Sequence, residues 1–238
     1  MSTKPKWEKG TVFSFALLIV CAIAITVTGI IFRQSVLRIL PLYVSLVVGL
    51  LQSKASRFSY LLGGCNCIIY TIVYISFGLY ATAASTLLFS CPVQLITFWR
   101  WSKRSYKQST EFRTMKPIHW LIGGICFAVC FCAVHFVLDA AESNYRFLDN
   151  LGTLGGIAVS LLSLLSFREY SWLMPLTGVI SLILYTVMTV DDPAQITYLI
   201  YGINSMICVI GQFFSVRRLY AEQQKERTLI SKQERTEL

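Results

Sequence analysis

An all-α, polytopic membrane protein of eight transmembrane helices is the fold class this sequence predicts, and three observations carry that reading. The 238 residues contain eight apolar stretches of membrane-spanning length. Apolar types make up 55% of the chain and charged types only 14%, with a mean hydropathy of +0.61, well outside soluble composition. The short loops between the stretches alternate between many and few Lys and Arg. A bilayer core asks for roughly 20 apolar residues per helix, and without water each segment must satisfy its own backbone hydrogen bonds. Residues 1–218 therefore read as one transmembrane domain and residues 219–238 as a charged tail.

The spans are expected at 11–32, 35–52, 58–77, 81–101, 118–138, 148–167, 172–190 and 194–216. Pro117 opens the fifth, and Asp191, Asp192 and Pro193 make a tight turn between the last two. Pro41 lies inside the second. The first run is too long for the apolar core of a signal peptide and lacks a small-residue cleavage site. The tail from Leu219 onward either extends the last helix or stays disordered.

Of the 21 Lys and Arg residues, all but Arg33, Arg38 and Arg146 fall on the side of the two termini. By the positive-inside rule both termini are cytoplasmic in a multi-pass cell-membrane protein. The net charge of +9 then reflects topology and contact with anionic membrane lipid, not nucleic-acid binding. The eight cysteines all sit in apolar segments, where cysteine acts as a small hydrophobe, and not in the loops a disulfide framework would use.

With the first helix set aside, spans two to four and six to eight run in the same directions, and span five inverts the chain between them. That is a parallel 3+1+3 repeat preceded by one extra helix, an arrangement used by small transporters.

Polar side chains within a bilayer are costly and default to functional candidates. Here they are amides: Asn66, Gln94, Asn204 and Gln212. Each alone is explained by an interhelical hydrogen bond of about 1 kcal/mol. Together with Tyr70, Tyr74, Phe89, Phe98, Trp99, Trp101, Tyr185, Tyr198 and Tyr201 they suit a planar heteroaromatic ligand, with stacking for its ring and amides for its polar groups. Trp99, Trp101, Trp120 and Trp172 lie near span ends, where interfacial belts also place tryptophan. Carboxylates, Lys and Arg occur only at span ends, which argues against an ion-coupled antiporter and against an enzyme with a buried general acid and base. No phosphate-binding loop, nucleophile elbow or H-E-x-x-H motif is present. No catalytic residue, metal ligand or cofactor is nominated. Cys126, Cys130, Cys132 and His135 lie close along the fifth span, but a metal there would need thiolates in lipid.

Several of these residues resemble the PnuC family of vitamin transporters: Asn66-x-x-x-Tyr70, Pro92-x-Gln94 with Trp101 seven residues on, Asp149-x-x-x-Thr153, Glu169 with Trp172, Asn204-Ser205, and the opening Trp7-Glu8-Lys9-Gly10. The resemblance covers most of residues 7–218. It implies a SWEET-like 3+1+3 fold behind an extra helix, a homotrimer, and energy-independent uptake of nicotinamide riboside, an NAD precursor, drawn inward by a cytoplasmic kinase. By this resemblance Asn66, Gln94 and Asn204 supply polar contacts, and Tyr70, Trp172 and Tyr185 stack on or close over the ligand. The seventh span departs from the family pattern, with Ser171, Met174 and Gly178 where two tryptophans and an Asn or Asp are usual, and Ser160 stands for a usual Gln. Thiamine, riboflavin and deoxynucleosides therefore stay open as substrates. A non-transporting receptor or interaction subunit, with the basic tail as its partner surface, is the alternative from another class.

Overall fold

Eight α-helices form among the residues that this computed structural model describes, 9–76, 86–140 and 146–236. They are α1 (Lys9–Ile31), α2 (Val36–Ser53), α3 (Phe58–Ser76), α4 (Cys91–Lys103), α5 (Pro117–Ala140), α6 (Arg146–Leu164), α7 (Tyr170–Asp191) and α8 (Ile196–Thr236). A π-helical turn, Thr86–Ser90, leads into α4, where Pro92 occupies the first turn and gives up no intrahelical bond. The first part of the fourth expected span and the Trp7 motif lie outside the described residues.

Among the described residues, five helices are long and apolar enough to cross a membrane: those holding Ser14–Ile31, Val36–Ser53, Pro117–Phe136, Tyr170–Asp191 and Pro193–Gln233. Shorter apolar helices run over Phe58–Ile72 and Asn150–Leu164. The architecture is that of an all-α, multi-pass membrane protein, with large apolar side chains such as Ile19, Val20, Leu121 and Val129 facing outward.

Six of the helices close into a ring. α2, α3 and α4 pack in succession, as do α6, α7 and α8, and the ring is completed by α4 against α6 and by α8 against α2. Outside it, α1 leans on α2 and α8, and α5 packs on α6. Asn150 fixes that last contact, its Nδ2 donating to the Phe131 carbonyl at 2.9 Å. Glycines let the helices of each triplet approach: a Cβ on Gly64 would strike Leu95, and one on Gly178 would strike Met206.

The basic end of the ring is closed by an aromatic cluster. Trp101 is fully buried, with Tyr60, Phe112 and Tyr170 at ring-centroid distances of 4.8, 5.7 and 6.0 Å. Phe112 comes from the α4–α5 loop, which folds as a two-residue hairpin (Ser105–Tyr106 with Ser109–Thr110) and then pairs backbone with the α6–α7 turn, Arg113 N–H to Ser166 O and Arg168 N–H to Arg113 O.

The charged tail continues α8 and docks on this loop. Its Glu, Gln, Lys and Arg residues are good helix formers, and one face finds partners. The Gln223 carboxamide, buried, accepts from Phe112 N–H at 3.0 Å and donates to the Thr110 carbonyl at 2.9 Å. Around it lie Lys107–Glu222 at 2.6 Å, Tyr106 Oη–Glu226 at 2.7 Å and Arg227–Glu111 at 3.3 Å.

The hydrogen bond from Lys107 holds the Glu222 carboxyl below its ordinary value of 4.5, and the same bond raises Lys107 above 10.5. The Glu222 contribution is present above 4.5 and lost as pH falls through the lowered value. The Lys107 contribution is complete below 10.5 and lost as pH rises through the raised one. The pair is therefore intact at neutral pH. Being solvent-exposed, it adds little, whereas removing the Gln223 amide strands two backbone groups at about 1–3 kcal/mol each. Gln223→Ala is expected to speed amide hydrogen exchange across residues 105–113, and Lys107→Gln to leave it nearly unchanged. The opposite ranking would show that charge, not the buried amide, holds the hairpin.

Candidate functional site

The six-helix ring encloses a cavity of about 240 Å³. α2 contributes Ser45, Val48 and Gln52, and α3 contributes Ser59, Tyr60, Gly63, Asn66, Cys67 and Tyr70. These spacings of three and four residues mark one face of each helix. Gln94 enters from α4, Val159, Ser160 and Ser163 from α6, Met174 from α7 and Tyr201 from α8. Among the described residues, no Asp, Glu, Lys, Arg or His lines the space.

Ser45 is the hub of the polar groups. The Asn66 Nδ2 donates to Ser45 Oγ at 2.8 Å and to the Pro41 carbonyl at 3.1 Å, tying α3 to α2. The Tyr70 hydroxyl lies 3.4 Å from the same Oγ, and Tyr201 lines the cavity with Ser45. Asn66 is only 4% exposed, yet its Oδ1 has no partner. A buried acceptor left in that state costs about 1–3 kcal/mol, which a donor placed in the cavity would recover.

Gln94 is held against Gly63, where an added Cβ would collide with its carboxamide oxygen. Its Nε2 donates to Cys67 Sγ at 3.3 Å, a weak acceptor that is readily exchanged for a better one. At the basic end Tyr60 and Ser163 line the cavity, and Tyr170 accepts from Gln212 Nε2 at 2.9 Å. Trp101 Nε1 donates to the Ser163 carbonyl at 2.8 Å beside them. This chain and the aromatic cluster form the floor of the cavity.

Of the residues nominated from sequence, Asn66, Tyr70 and Gln94 meet in this cavity, and the other three do not line it. Asn204 is buried in α8 where that helix crosses Gly49 of α2, one turn from Tyr201. Tyr185 packs at the α7–α8 contact, 6.2 Å from Tyr198 and against Gly202. Trp172 is 60% exposed on the outside of α7, edge-on to Phe213 at 5.2 Å. Trp99 and Trp120 also face outward, whereas Trp101 is the centre of the buried cluster. Gln212 makes the interhelical bond to Tyr170 described above. Tyr74 carries no described side chain.

Ser45, Gln52, Tyr60 and Ser163 were not singled out in the sequence. Their signal was the recurrence of small polar or aromatic groups at three- and four-residue spacing within otherwise apolar helices. The eight cysteines are free thiols, and among the described residues no three His, Cys, Asp or Glu are placed to hold a metal ion.

A family model described as nicotinamide mononucleotide transporter matches residues 35–213. The chain belongs to that family. The PnuC resemblance read from the residues is thus borne out, and the protein is a transporter and not an enzyme. The match spans the whole ring and omits α1 and the docked extension of α8. A solved structure, "Crystal structure of the Vitamin B3 transporter PnuC", superposes with a TM-score of 0.72 over 92% of this chain and 95% of that one, at 18% identity. That likeness establishes a shared fold. No curated protein sequence matches the chain.

Because the Gly63 collision would fall on the far end of a flexible side chain, Gly63→Ala is expected to fold normally while turning Gln94 away, cutting transport about tenfold or more. Gly123→Ala, which meets nothing within 4 Å, is expected to change neither property. Proteoliposome flux alongside size-exclusion recovery measures both. Full transport by Gly63→Ala would show that the position of Gln94 does not matter.

Proposed function

We propose that the protein is a facilitator for nicotinamide riboside. The observation that carries this reading is the lining of one uncharged, tyrosine-rich cavity by both Asn66, whose buried Oδ1 has no partner, and the exchangeable Gln94 carboxamide. A nicotinamide carboxamide or a ribose hydroxyl supplies the donors and acceptors these amides lack. Tyr60, Tyr70 and Tyr201 offer ring faces to a flat pyridinium, whose delocalised positive charge gains a cation–π attraction. A volume of about 240 Å³, just below the roughly 300–1,000 Å³ of typical small-molecule pockets, suits a nucleoside and not a dinucleotide.

The lack of any cation along the cavity favours the nucleoside over the phosphorylated nucleotide of the family's description. A phosphate carries close to two negative charges and is met in proteins by Arg, Lys or converging N–H groups. The lack of a titratable carboxylate supports facilitated diffusion without proton coupling. Net uptake then follows from phosphorylation of the vitamin by a cytoplasmic kinase, since the charged product does not fit the cavity.

The same reading places both termini in the cytoplasm, on the basic end that carries Lys54, Arg104, Lys107, Arg113 and Arg218. It takes α2–α4 and α6–α8 as parallel repeats around the cavity, in the SWEET-like manner, with α5 as the inverting linker and α1 as the extra helix, eight spans in all. Symmetric closure of the ring, first helix of one triplet on last helix of the other, supports this. Residues 1–218 are the transmembrane domain and the remainder its docked extension. The working unit is a homotrimer.

Proteoliposomes loaded with nicotinamide riboside, its mononucleotide, thiamine, riboflavin or a deoxynucleoside test the substrate directly. Counterflow of the riboside, and none of the mononucleotide, is expected. Exchange of thiamine, riboflavin or a deoxynucleoside in its place would reassign the substrate, and no exchange by folded protein would remove the transport reading. Gln94→Ala and Asn66→Ala are each expected to lower riboside affinity about tenfold, the equivalent of one lost hydrogen bond of about 1.4 kcal/mol.

A further inference from the structure

A second space lies outside the ring, between the start of α1, the end of α2, the hairpin tip and α8. It is a groove of about 770 Å³, larger than the central cavity and lined by none of its residues. Its two ends differ in chemistry. Leu17, Ile207, Ile210 and Phe214 line the deeper part, and Ile207, Ile210 and Phe214 are exposed on the membrane-facing side of α8. At the basic end, Lys54 from α2, Lys107 from the hairpin and Arg218 from α8 converge from three separate segments. On α8 the groove runs from Ile207 to Arg218, about 16 Å at 1.5 Å per residue. That is about one leaflet of a hydrocarbon core roughly 30 Å thick.

The basic end is only partly neutralised from within, by Glu222, which bridges Lys107 and also acts through space on Arg218. Lys107 is committed to Glu222 at 2.6 Å. Lys54 has only the Phe15 ring, at 5.9 Å, and neither Lys54 nor Arg218 makes a salt bridge among the described residues. Ser109, 1% exposed, lines the same end, and its Oγ has no hydrogen-bond partner. Three cations against one carboxylate, with an unpartnered buried hydroxyl on the same lining, ask for an acceptor of negative charge. The floor is fixed, because Ser215 Oγ donates to the Ser53 carbonyl at 2.7 Å and holds α8 to the end of α2.

We propose that this groove is a binding site for one anionic phospholipid. Its phosphate sits between Lys54 and Arg218 and accepts from Ser109, and one acyl chain lies along Leu17, Ile207, Ile210 and Phe214. Charge complementarity selects the headgroup, since a basic pocket between helices at a membrane surface attracts anionic lipid by about a factor of five per Lys or Arg. Apolar length selects a lipid over a free phosphate. Because α1, α2, α8 and the hairpin all contribute walls, the bound lipid joins the extra helix and the docked α8 extension to the ring, on a face separate from the solute path.

The test uses the full chain in detergent, titrated with phosphatidylglycerol, with phosphatidylcholine of the same acyl chains, and with glycerol phosphate. Native mass spectrometry reads retained adducts and thermal unfolding reads stabilisation. Expected are one phosphatidylglycerol retained per protomer with a rise in Tm, and no rise from phosphatidylcholine or glycerol phosphate. The pair Lys54→Gln with Arg218→Gln is expected to weaken phosphatidylglycerol binding at least tenfold, whereas Lys116→Gln with Lys225→Gln, an equal charge loss elsewhere, leaves it unchanged. Equal retention of the two lipids by the unsubstituted chain would overturn the proposal, even if the variants fail to fold. So would stabilisation by glycerol phosphate alone, which needs no acyl groove. Loss of oligomeric mass in the Lys54→Gln with Arg218→Gln pair, with no selective retention of phosphatidylglycerol by the unsubstituted chain, would overturn it in favour of a second copy of the chain.

Discussion

Everything in this molecule follows from the cost of leaving a polar group unpaired in hydrocarbon. The backbone meets that cost by coiling into helices, and the side chains meet it by turning inward. Asn66, Gln94, Gln212, Ser45 and Tyr170 are all on helices whose outer faces are Ile, Leu, Val and Phe, and all point into the ring. Once the six helices are closed, most of these groups find one another, and one acceptor without a partner is left on a residue that lines the central cavity. Asn66 Oδ1 is that atom. On the proposed reading, the site for a polar, uncharged solute is a place where this packing leaves a polar group unsatisfied.

The two ends of the ring solve it differently. At the basic end the loop after α4 supplies Phe112 to the Trp101–Tyr60–Tyr170 cluster, and Gln223 satisfies the loop's backbone from the far end of α8. The apolar seal and the polar clamp are contiguous, so closure of the cavity floor and docking of the α8 extension are one structural event. The same docking places Lys107 and Ser109 with Lys54 and Arg218 on the lining of the groove outside the ring.

Much of this was legible in the residues. The all-α, multi-pass character and the approximate limits of most described helices follow from composition and periodicity, because a bilayer punishes exceptions to both. Asn66, Tyr70 and Gln94 could be picked out because an amide or tyrosine on an apolar helix is conspicuous. Ser45, Tyr60 and Ser163 could not, since serine is common in such helices, where it satisfies itself on the preceding turn, and Tyr60 lies near a span end where interfacial tyrosine is ordinary. Trp172 looked equivalent to Trp101 by position near a span end, yet one is 60% exposed and the other fully buried. Rotation of a helix about its axis separates them, and neighbours set that rotation.

By itself, the sequence determined that this chain is a helical membrane protein with uncharged polar groups at its heart, because hydrophobic length and the price of a buried charge are local properties of each segment. Only the tertiary structure decided which amides share a cavity, that Asn204, Tyr185 and Trp172 lie outside it, and that residues 219–236 extend α8 and clamp a hairpin instead of hanging free. Those outcomes depend on the pairing of α2 with α8 and α4 with α6 across more than a hundred and about sixty residues of chain respectively. Contacts of that kind arise from helix packing as a whole and leave no mark on any one stretch of sequence.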